Sequence, residues 1–237
     1  MISFIVPAHN EEQGLEQTIA SIHSAAQDVG APYEVIVVDD DSTDRTAEIA
    51  SDAGARVVAV SVRQIARARN AGAAVATGDL LLFVDADTLV NSRTVRATLD
   101  AIAKGAVAGG AILQFDDPFP FAARLMAAAV ALGMRLGRLA AGAYLFCTPE
   151  AFAAVGGFDE KLFATEEIAI SRALAEVGPV VILTERVVTS GRKARTHGFR
   201  ELLAPALLVL RYGQFAFRDR SRMSFWYGRR REDPRRP

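Results

Sequence analysis

Cysteine is almost missing from this chain: Cys147 is the one thiol among 237 residues. That excludes an internal disulfide framework and fits a reducing compartment. Net charge is nearly absent too, −1 from 27 Lys and Arg against 28 Asp and Glu, which argues against a nucleic-acid protein. The balance hides an asymmetry, because nine arginines face three acids between Arg211 and Pro237. No stretch supplies the roughly 18 charge-free apolar residues of a membrane span. No basic segment precedes the first apolar run, so neither a span nor a secretory signal is expected and the expected location is cytoplasmic. Internal repeats and low-complexity linkers are also lacking. With 51% hydrophobic and 23% charged residues, the composition is globular. The length holds one large α/β domain or one and a half ordinary ones.

What the chain does have is a sequence of short apolar runs, each followed by a polar cluster. The clearest is Leu80-Leu81-Leu82-Phe83-Val84, which runs straight into Asp85-Ala86-Asp87. A continuous β-rich apolar run reads as a strand buried on both faces, as in a parallel sheet. Open α/β sheets carry their chemistry beyond the carboxyl ends of such strands. Two neighbouring aspartates repel and raise a pKa unless a cation lies between them. Hard oxygen ligands suit Mg²⁺ or Mn²⁺, which substrate phosphates usually complete. Taken alone, the pair reads better as one turn cap and one solvated carboxylate.

Similar runs predict strands at Ile2 to Val6, Tyr33 to Val38 and Arg56 to Val60. Between them, Leu15, Ile19 and Ile22 recur at helical spacing and predict a helix from about Glu11 to Gln27, capped by Asn10 with Gln13 three residues on. Ser42 is expected to cap a helix to about Ala53, closed by Gly54, and a further helix is expected over about Gln64 to Thr77. This alternation predicts a parallel, Rossmann-like sheet in the first ~90 residues.

Farther on, Ser92 is expected to cap a helix, and Ala106 to Phe115 to form a strand. Phe121 to Leu139 reads as an amphipathic helix carrying Arg124, Arg135 and Arg138. Tyr144 to Cys147 reads as a short strand, and Thr148-Pro149-Glu150 as a helix start with proline at its first position. A helix is expected from about Thr165 to Glu176, a strand over Val180 to Val188, and a partly helical apolar run over Glu201 to Phe217.

Polar clusters therefore fall at successive strand ends or helix starts: Pro7-Ala8-His9-Asn10-Glu11, Asp39-Asp40-Asp41, Asp85-Ala86-Asp87 and Glu166-Glu167. Each alone is an ordinary turn or cap. Together they converge on one crevice.

The run Phe4-Ile5-Val6-Pro7-Ala8-His9-Asn10-Glu11-Glu12, followed by Val37-Val38-Asp39-Asp40-Asp41-Ser42-Thr43-Asp44, resembles the opening of the family 2 glycosyltransferases of GT-A fold. The resemblance continues through Ala68-Arg69-Asn70-Ala71-Gly72, Thr77-Gly78-Asp79, the D-x-D at Asp85 and Asp87, and Gly156-Gly157-Phe158-Asp159-Glu160. It implies an α/β GT-A fold: a Rossmann-like, mostly parallel sheet with helices on both faces and a helical C-terminal extension. Residues 1–200 would form the transferase domain, with 1–90 as the donor half and 91–200 as the acceptor half. Residues 201–237 would form an apolar helical segment and a basic tail.

The resemblance also implies roles. Pro7, Ala8, His9 and Glu11 would line the nucleobase and ribose of a nucleotide-sugar donor, UDP-sugar favoured. Asp40 would accept from the base imide. Arg69 would approach the base or a phosphate; a solvated helix arginine is the equal alternative. Asp85 and Ala86 would lie at the ribose, Asp85 also near the metal, and Asp87 would bind Mn²⁺ or Mg²⁺ directly. The base that deprotonates the acceptor hydroxyl sits in the family at the second position of a Glu-Asp pair. This chain has Glu166-Glu167 there, so Glu167 takes that place, one methylene longer, with Glu166 as second choice. No covalent nucleophile is evident, and the family inference is inversion.

His197, in the basic stretch from Arg192 to Gly198, is either a third metal ligand or a solvated histidine. Cys147 reads as a buried thiol without chemistry. The aromatic-basic tail, Phe225-Trp226-Tyr227 and Arg229-Arg230-Arg231, fits peripheral contact with an anionic membrane, here the inner face, and a lipid-linked acceptor would explain it.

Two rival readings stand beside this one. Asp39-Asp40-Asp41-Ser42-Thr43 fits the D-x-D-x-T pattern of haloacid-dehalogenase-like phosphatases, with Asp39 as nucleophile and Asp41 as its partner. That family uses its first strand, however, and needs a later Gly-Asp-x-x-x-Asp motif that this sequence lacks. A non-catalytic nucleotide-sugar-binding protein is supported only by the glutamate at 167.

Overall fold

The computed structural model describes residues 1–116, 132–140 and 142–191. One eight-stranded sheet runs through them in the order β3-β2-β1-β4-β7-β6-β8-β5. Its first half is parallel. β1 (Ile2–Ala8) pairs with β2 (Tyr33–Asp40) from Ile2↔Tyr33 to Ala8↔Asp39 and with β4 (Leu80–Val84) from Ile2↔Leu80 to Ile5↔Phe83. β3 (Arg56–Val60) lies outside β2.

The chain first winds outward through β1, β2 and β3, then returns past β1 to lay down β4. The strand order thus reverses between β1 and β4, where α/β sheets open a crevice for ligands. Beyond β4, β7 (Tyr144–Cys147) runs antiparallel to both β4 and β6 (Ala108–Phe115). β8 (Val180–Thr189) runs parallel to β6, and the two-residue β5 (Thr88–Leu89) pairs antiparallel with β8. A mostly parallel α/β sheet is what the sequence predicted.

Strand alternation divides the core in two. Ile2, Phe4, Val6 and Ala8 face one side, with Val35, Val37, Leu80, Leu82 and Val84. Leu15, Ile19 and Ile22 of α1 (Leu15–Val29) and Val95 of α4 (Ser92–Ala103) cover that side. Ile5, Ile36, Val38, Leu81 and Phe83 face the other. There they meet Ala66 and Ala68 of α3 (Ile65–Val75), Ala151 of α5 (Pro149–Ala154), and Ile170 and Leu174 of α6 (Glu166–Val177). All five residues of β4 are buried, at about 1.5–3 kcal/mol for each large side chain removed from water. The strand next to the crevice is therefore among the best anchored.

The starts of α1 and α2 (Thr46–Asp52) lie four and three residues later than expected. Asn10 does not cap α1. It sits at φ 54° and its Oδ1 accepts from the Thr43 amide at 2.7 Å, while its own amide donates to Ser42 Oγ at 2.9 Å. Residues 10–14 and 42–45 bind each other instead of extending their helices. Gly14 takes the N-cap position without a side-chain bond. Asn91, not Ser92, caps α4, accepting from the Thr94 amide. Thr148 caps α5 with Pro149 in its first turn, and Gly54 follows α2 at φ 81°, both as predicted.

Among the described residues no helix is long and apolar enough to cross a membrane. Residues 132–136 are helical. The rest of the amphipathic helix expected over Phe121 to Leu139, His197, the apolar run to Phe217 and the basic tail lie outside the described residues.

Candidate active site

The crevice floor is built from the loops after β1 and β2. Glu11, expected at a helix start, lies four residues before α1: its amide donates to Thr46 Oγ1 at 2.8 Å, and its carbonyl accepts from Leu15 at 3.1 Å. Glu12 and Asp44 continue the web, the Glu12 amide donating to Asp44 Oδ2 at 3.2 Å. His9 Nδ1 lies 2.8 Å from the Asp40 carbonyl, an oxygen that can only accept, so Nδ1 carries the proton. Nε2 then accepts from Asn10 Nδ2 at 3.3 Å. His9 is thus held in a fixed orientation as a wall of the crevice. Pro7 is half-buried beside it, whereas Ala8 is buried in the core on the α1 side.

Asp40 does more than line a pocket. Its Oδ1 accepts from the amides of Val62 and Arg63, both at 2.8 Å, and its Oδ2 from Gln64 at 3.0 Å. From the end of β2 it anchors the loop that leads into α3, up to the N-cap residue Gln64. A carboxylate has about four acceptor positions, so the base-reading role expected of Asp40 is left with one, on a side chain only 6% exposed. Arg63, at φ 49°, leans over this floor with Nη1 3.6 Å from Asp41 Oδ2. Asp39 Oδ1 is buried without a hydrogen-bond partner, a poor placement for the nucleophile of the phosphatase reading.

The turn after β4 separates its three residues. Ala86 is buried in the α1-side core and its carbonyl accepts from Thr18 Oγ1 at 2.9 Å, so its side chain cannot line a ligand site as expected. Asp85 and Asp87 stay half-exposed. Asp87 is tied to the end of β8, its Oδ1 3.5 Å from Thr189 Oγ1 and its carbonyl accepting from the Ser190 amide. Two carboxylates at one strand end fit a hard divalent cation that keeps waters and takes its other oxygens from a diphosphate. They do not make a closed protein site: among the described residues no three or more His, Cys, Asp or Glu side chains could hold a metal.

Arg69 is neither a solvated helix arginine nor a group reaching outward. Its side chain is 2% exposed. Nη1 donates to Glu166 Oε1 at 2.6 Å, and Nη2 to Asp85 Oδ1 at 3.0 Å and to the Gly142 carbonyl at 3.1 Å. Burial works against its charge, but Asp85, Glu166 and Glu167 hold its pKa above the ordinary value. The Phe158 ring centroid lies 5.3 Å from Cζ, a cation–π contact. Glu166 is thus a buried ion-pair partner, which corrects its second-choice standing as a base.

Glu167, one residue on, keeps part of its surface open. Burial pushes its pKa up to about 8, the Glu166 charge adds to the rise, and Arg69 opposes it. A carboxyl shifted toward neutral pH at a crevice is a candidate proton acceptor. Burial likewise pushes the Cys147 thiol up, away from any nucleophilic role.

The residues that the sequence left without roles are the clamps. Asn70 accepts from the Phe158 amide at 2.9 Å and donates to the Phe158 carbonyl at 3.0 Å and to Glu160 Oε1 at 3.1 Å. Gln64 Nε2 donates to the carbonyls of Glu160 and Leu162 at 2.7 and 2.9 Å. The loop leading into α6 therefore hangs from α3, at a sequence distance of about 90 residues that no local signal reveals.

Comparison with known proteins agrees with this fold. A mannosyltransferase from Pyrobaculum calidifontis, solved with GDP-Man and Mn²⁺, superposes with a TM-score of 0.70 at 22% identity, over 87% of this chain and 61% of that one. The mannosyl-3-phosphoglycerate synthase of Rubrobacter xylanophilus gives 0.66 at 20% identity, over 94% and 75%. In sequence, a 4,4'-diaponeurosporenoate glycosyltransferase of Staphylococcus haemolyticus is 38% identical over 44% of this chain. The dolichol-phosphate mannosyltransferase of Pyrococcus furiosus is 32% identical over 44%. An undecaprenyl-phosphate 4-deoxy-4-formamido-L-arabinose transferase of Enterobacter is 36% identical over 36%. The matched stretches span 28–30% of the length of these three relatives. Residues 3–153 match the family described as Glycosyl transferase family 2. The chain belongs to the family 2 glycosyltransferases and has their GT-A fold.

Proposed function

We propose that this protein transfers a sugar from a nucleoside-diphosphate donor, a UDP-sugar favoured, to a hydroxyl of a lipid-linked acceptor. The observation that carries this reading is Arg69 joining Asp85, at the reversal point of the sheet, to the acidic start of α6. Residues 1–90 form the donor half and the segment from 91 the acceptor half. Base and ribose lie over His9, Glu11 and Asp40. Asp87, with Asp85, would hold a Mn²⁺ or Mg²⁺ ion. When bound, that cation neutralises charge on the diphosphate leaving group. The lipid-linked acceptor is supported by the names of the undecaprenyl-phosphate and dolichol-phosphate relatives. The aromatic and arginine-rich sequence 225–231 suits a site on the inner membrane face.

The transfer is a single displacement. Glu167 takes the proton of the acceptor hydroxyl, the oxygen bonds to the anomeric carbon, and the bond from that carbon to the diphosphate oxygen breaks with inversion. A base must be deprotonated to act, so kcat/KM rises about tenfold per pH unit below the Glu167 pKa and levels off above about 8. The test is transfer from UDP-sugars to a polyprenyl-linked acceptor that carries a free sugar hydroxyl, by wild type and Glu167→Gln. The variant is expected to lose about 10²- to 10⁴-fold in kcat, with donor KM unchanged and the pH slope gone. Near-normal turnover eliminates Glu167 as the base.

A further inference from the structure

Arg69 is buried, yet it touches both halves of the crevice. Its Nη1 holds Glu166 at 2.6 Å and its Nη2 holds Asp85 at 3.0 Å. Asp85 is 32% exposed toward the crevice, whereas the side chains of Arg69 and Glu166 are 2% and 5% exposed. We propose that Arg69 is a positioning residue that couples the two halves, so that the affinity of the donor pocket depends on the acid pair at the start of α6 and the placement of Glu167 depends on the occupied donor pocket. The inference rests on the transferase reading and deepens it.

Three features make the guanidinium a coupling element rather than a simple counter-ion. First, it is planar, with its N–H directions fixed. A shift of Asp85 on one nitrogen therefore turns the plane that Glu166 holds through the other. Second, it has little room. The Phe158 ring lies 5.3 Å from Cζ, and a Cβ added at Gly142 would stand 2.8 Å from Nη2. Nε is buried without a hydrogen-bond partner. An unpaired buried donor is costly, so the two acids and the Gly142 carbonyl set the orientation at the expense of Nε. Third, the next residue grips the same segment. Asn70 binds both the amide and the carbonyl of Phe158, at 2.9 and 3.0 Å. The Arg69-Asn70 dipeptide thus holds the stretch from Phe158 to Glu166 at both ends, and Glu167 follows directly.

The experiment reads at the donor site a change made on the acceptor side. UDP and GDP binding is measured by calorimetry with Mn²⁺ for wild type, Glu166→Gln, Arg69→Lys and the double variant, with kcat measured alongside. Glu166→Gln leaves the crevice-facing carboxylates in place, yet it is expected to weaken nucleotide binding about fivefold and to lower kcat. In the Arg69→Lys background, whose single ammonium cannot span both acids, the same change is expected to cost less than about twofold. Gly142→Ala keeps every charge and displaces the fork. It is expected to weaken nucleotide binding as Glu166→Gln does, and it carries the test if Arg69→Lys does not fold. Wild-type affinity in both Glu166→Gln and Gly142→Ala, or an equal cost of Glu166→Gln in both backgrounds, overturns the coupling while leaving the transferase reading intact. A wild-type protein that binds neither UDP nor GDP overturns that reading and this inference with it.

Discussion

Glu167 shows how one side chain can serve chemistry and oppose stability. A carboxyl whose folded pKa stands near 8, above the ordinary 4.5, supports folding fully below the ordinary value. It progressively penalises the folded state as pH rises toward 8. Glu167→Gln removes that titration. The variant is expected to melt above wild type at pH 8 and level with it near pH 4, by scanning calorimetry at the two pH values. A variant that melts below wild type at pH 8 would contradict the placement of the carboxyl.

Asp40 invites the opposite expectation. Its three backbone bonds to Val62, Arg63 and Gln64 are charge-assisted, each worth about 1.5–3 kcal/mol. Asp40→Ala should therefore destabilise by several kcal/mol in denaturant titration, whether or not nucleotide is bound. A loss confined to nucleotide binding would return Asp40 to a purely ligand-reading role. Nothing in the Asp39-Asp40-Asp41 run distinguishes a residue that reads a base from one that anchors a loop more than twenty positions later.

Elements were legible where their signals were local. β3, β4 and β7 have the predicted bounds, because continuous apolar runs end at polar or glycine punctuation. Thr148 and Pro149 open α5 by capping chemistry contained within four residues. Thr148→Ala removes the bond to the Ala151 amide and should cost about 1 kcal/mol, read as a shift of the denaturant midpoint at unchanged slope. The starts of α1 and α2 were not legible. Asn10 and Ser42 are good caps by type, but they bind each other's segments across 32 to 33 residues instead, and Asp44 accepts both locally from the Thr46 amide and across the fold from the Glu12 amide.

Contact across the fold also explains Gly72 in α3, where an added Cβ would stand 2.4 Å from Ile5 Cγ2 and 2.9 Å from Val38 Cγ2. Overpacking there costs typically about 1–3 kcal/mol. Gly72→Ala is thus expected to lower the melting temperature and, by lifting α3 from the sheet, to reduce turnover. A wild-type melting temperature would show that α3 is less tightly seated than the packing indicates.

The whole molecule places its polar clusters by winding. β1, β2 and β4 are neighbours because the chain reverses its strand order between β1 and β4, and their carboxyl ends therefore share one crevice. Sequence order alone predicted that convergence. It could not show that Arg69 would be the buried link, since its partners lie 16 and 97 residues away. The central claim is that this crevice is a nucleotide-diphosphate site completed by a divalent cation. The most direct measurement is calorimetric titration of UDP and GDP into wild type and Asp87→Asn, with and without Mn²⁺. Wild type is expected to bind only with Mn²⁺, and Asp87→Asn to lose that binding. Absence of binding to either nucleotide, or binding indifferent to both Mn²⁺ and Asp87, would contradict the central claim.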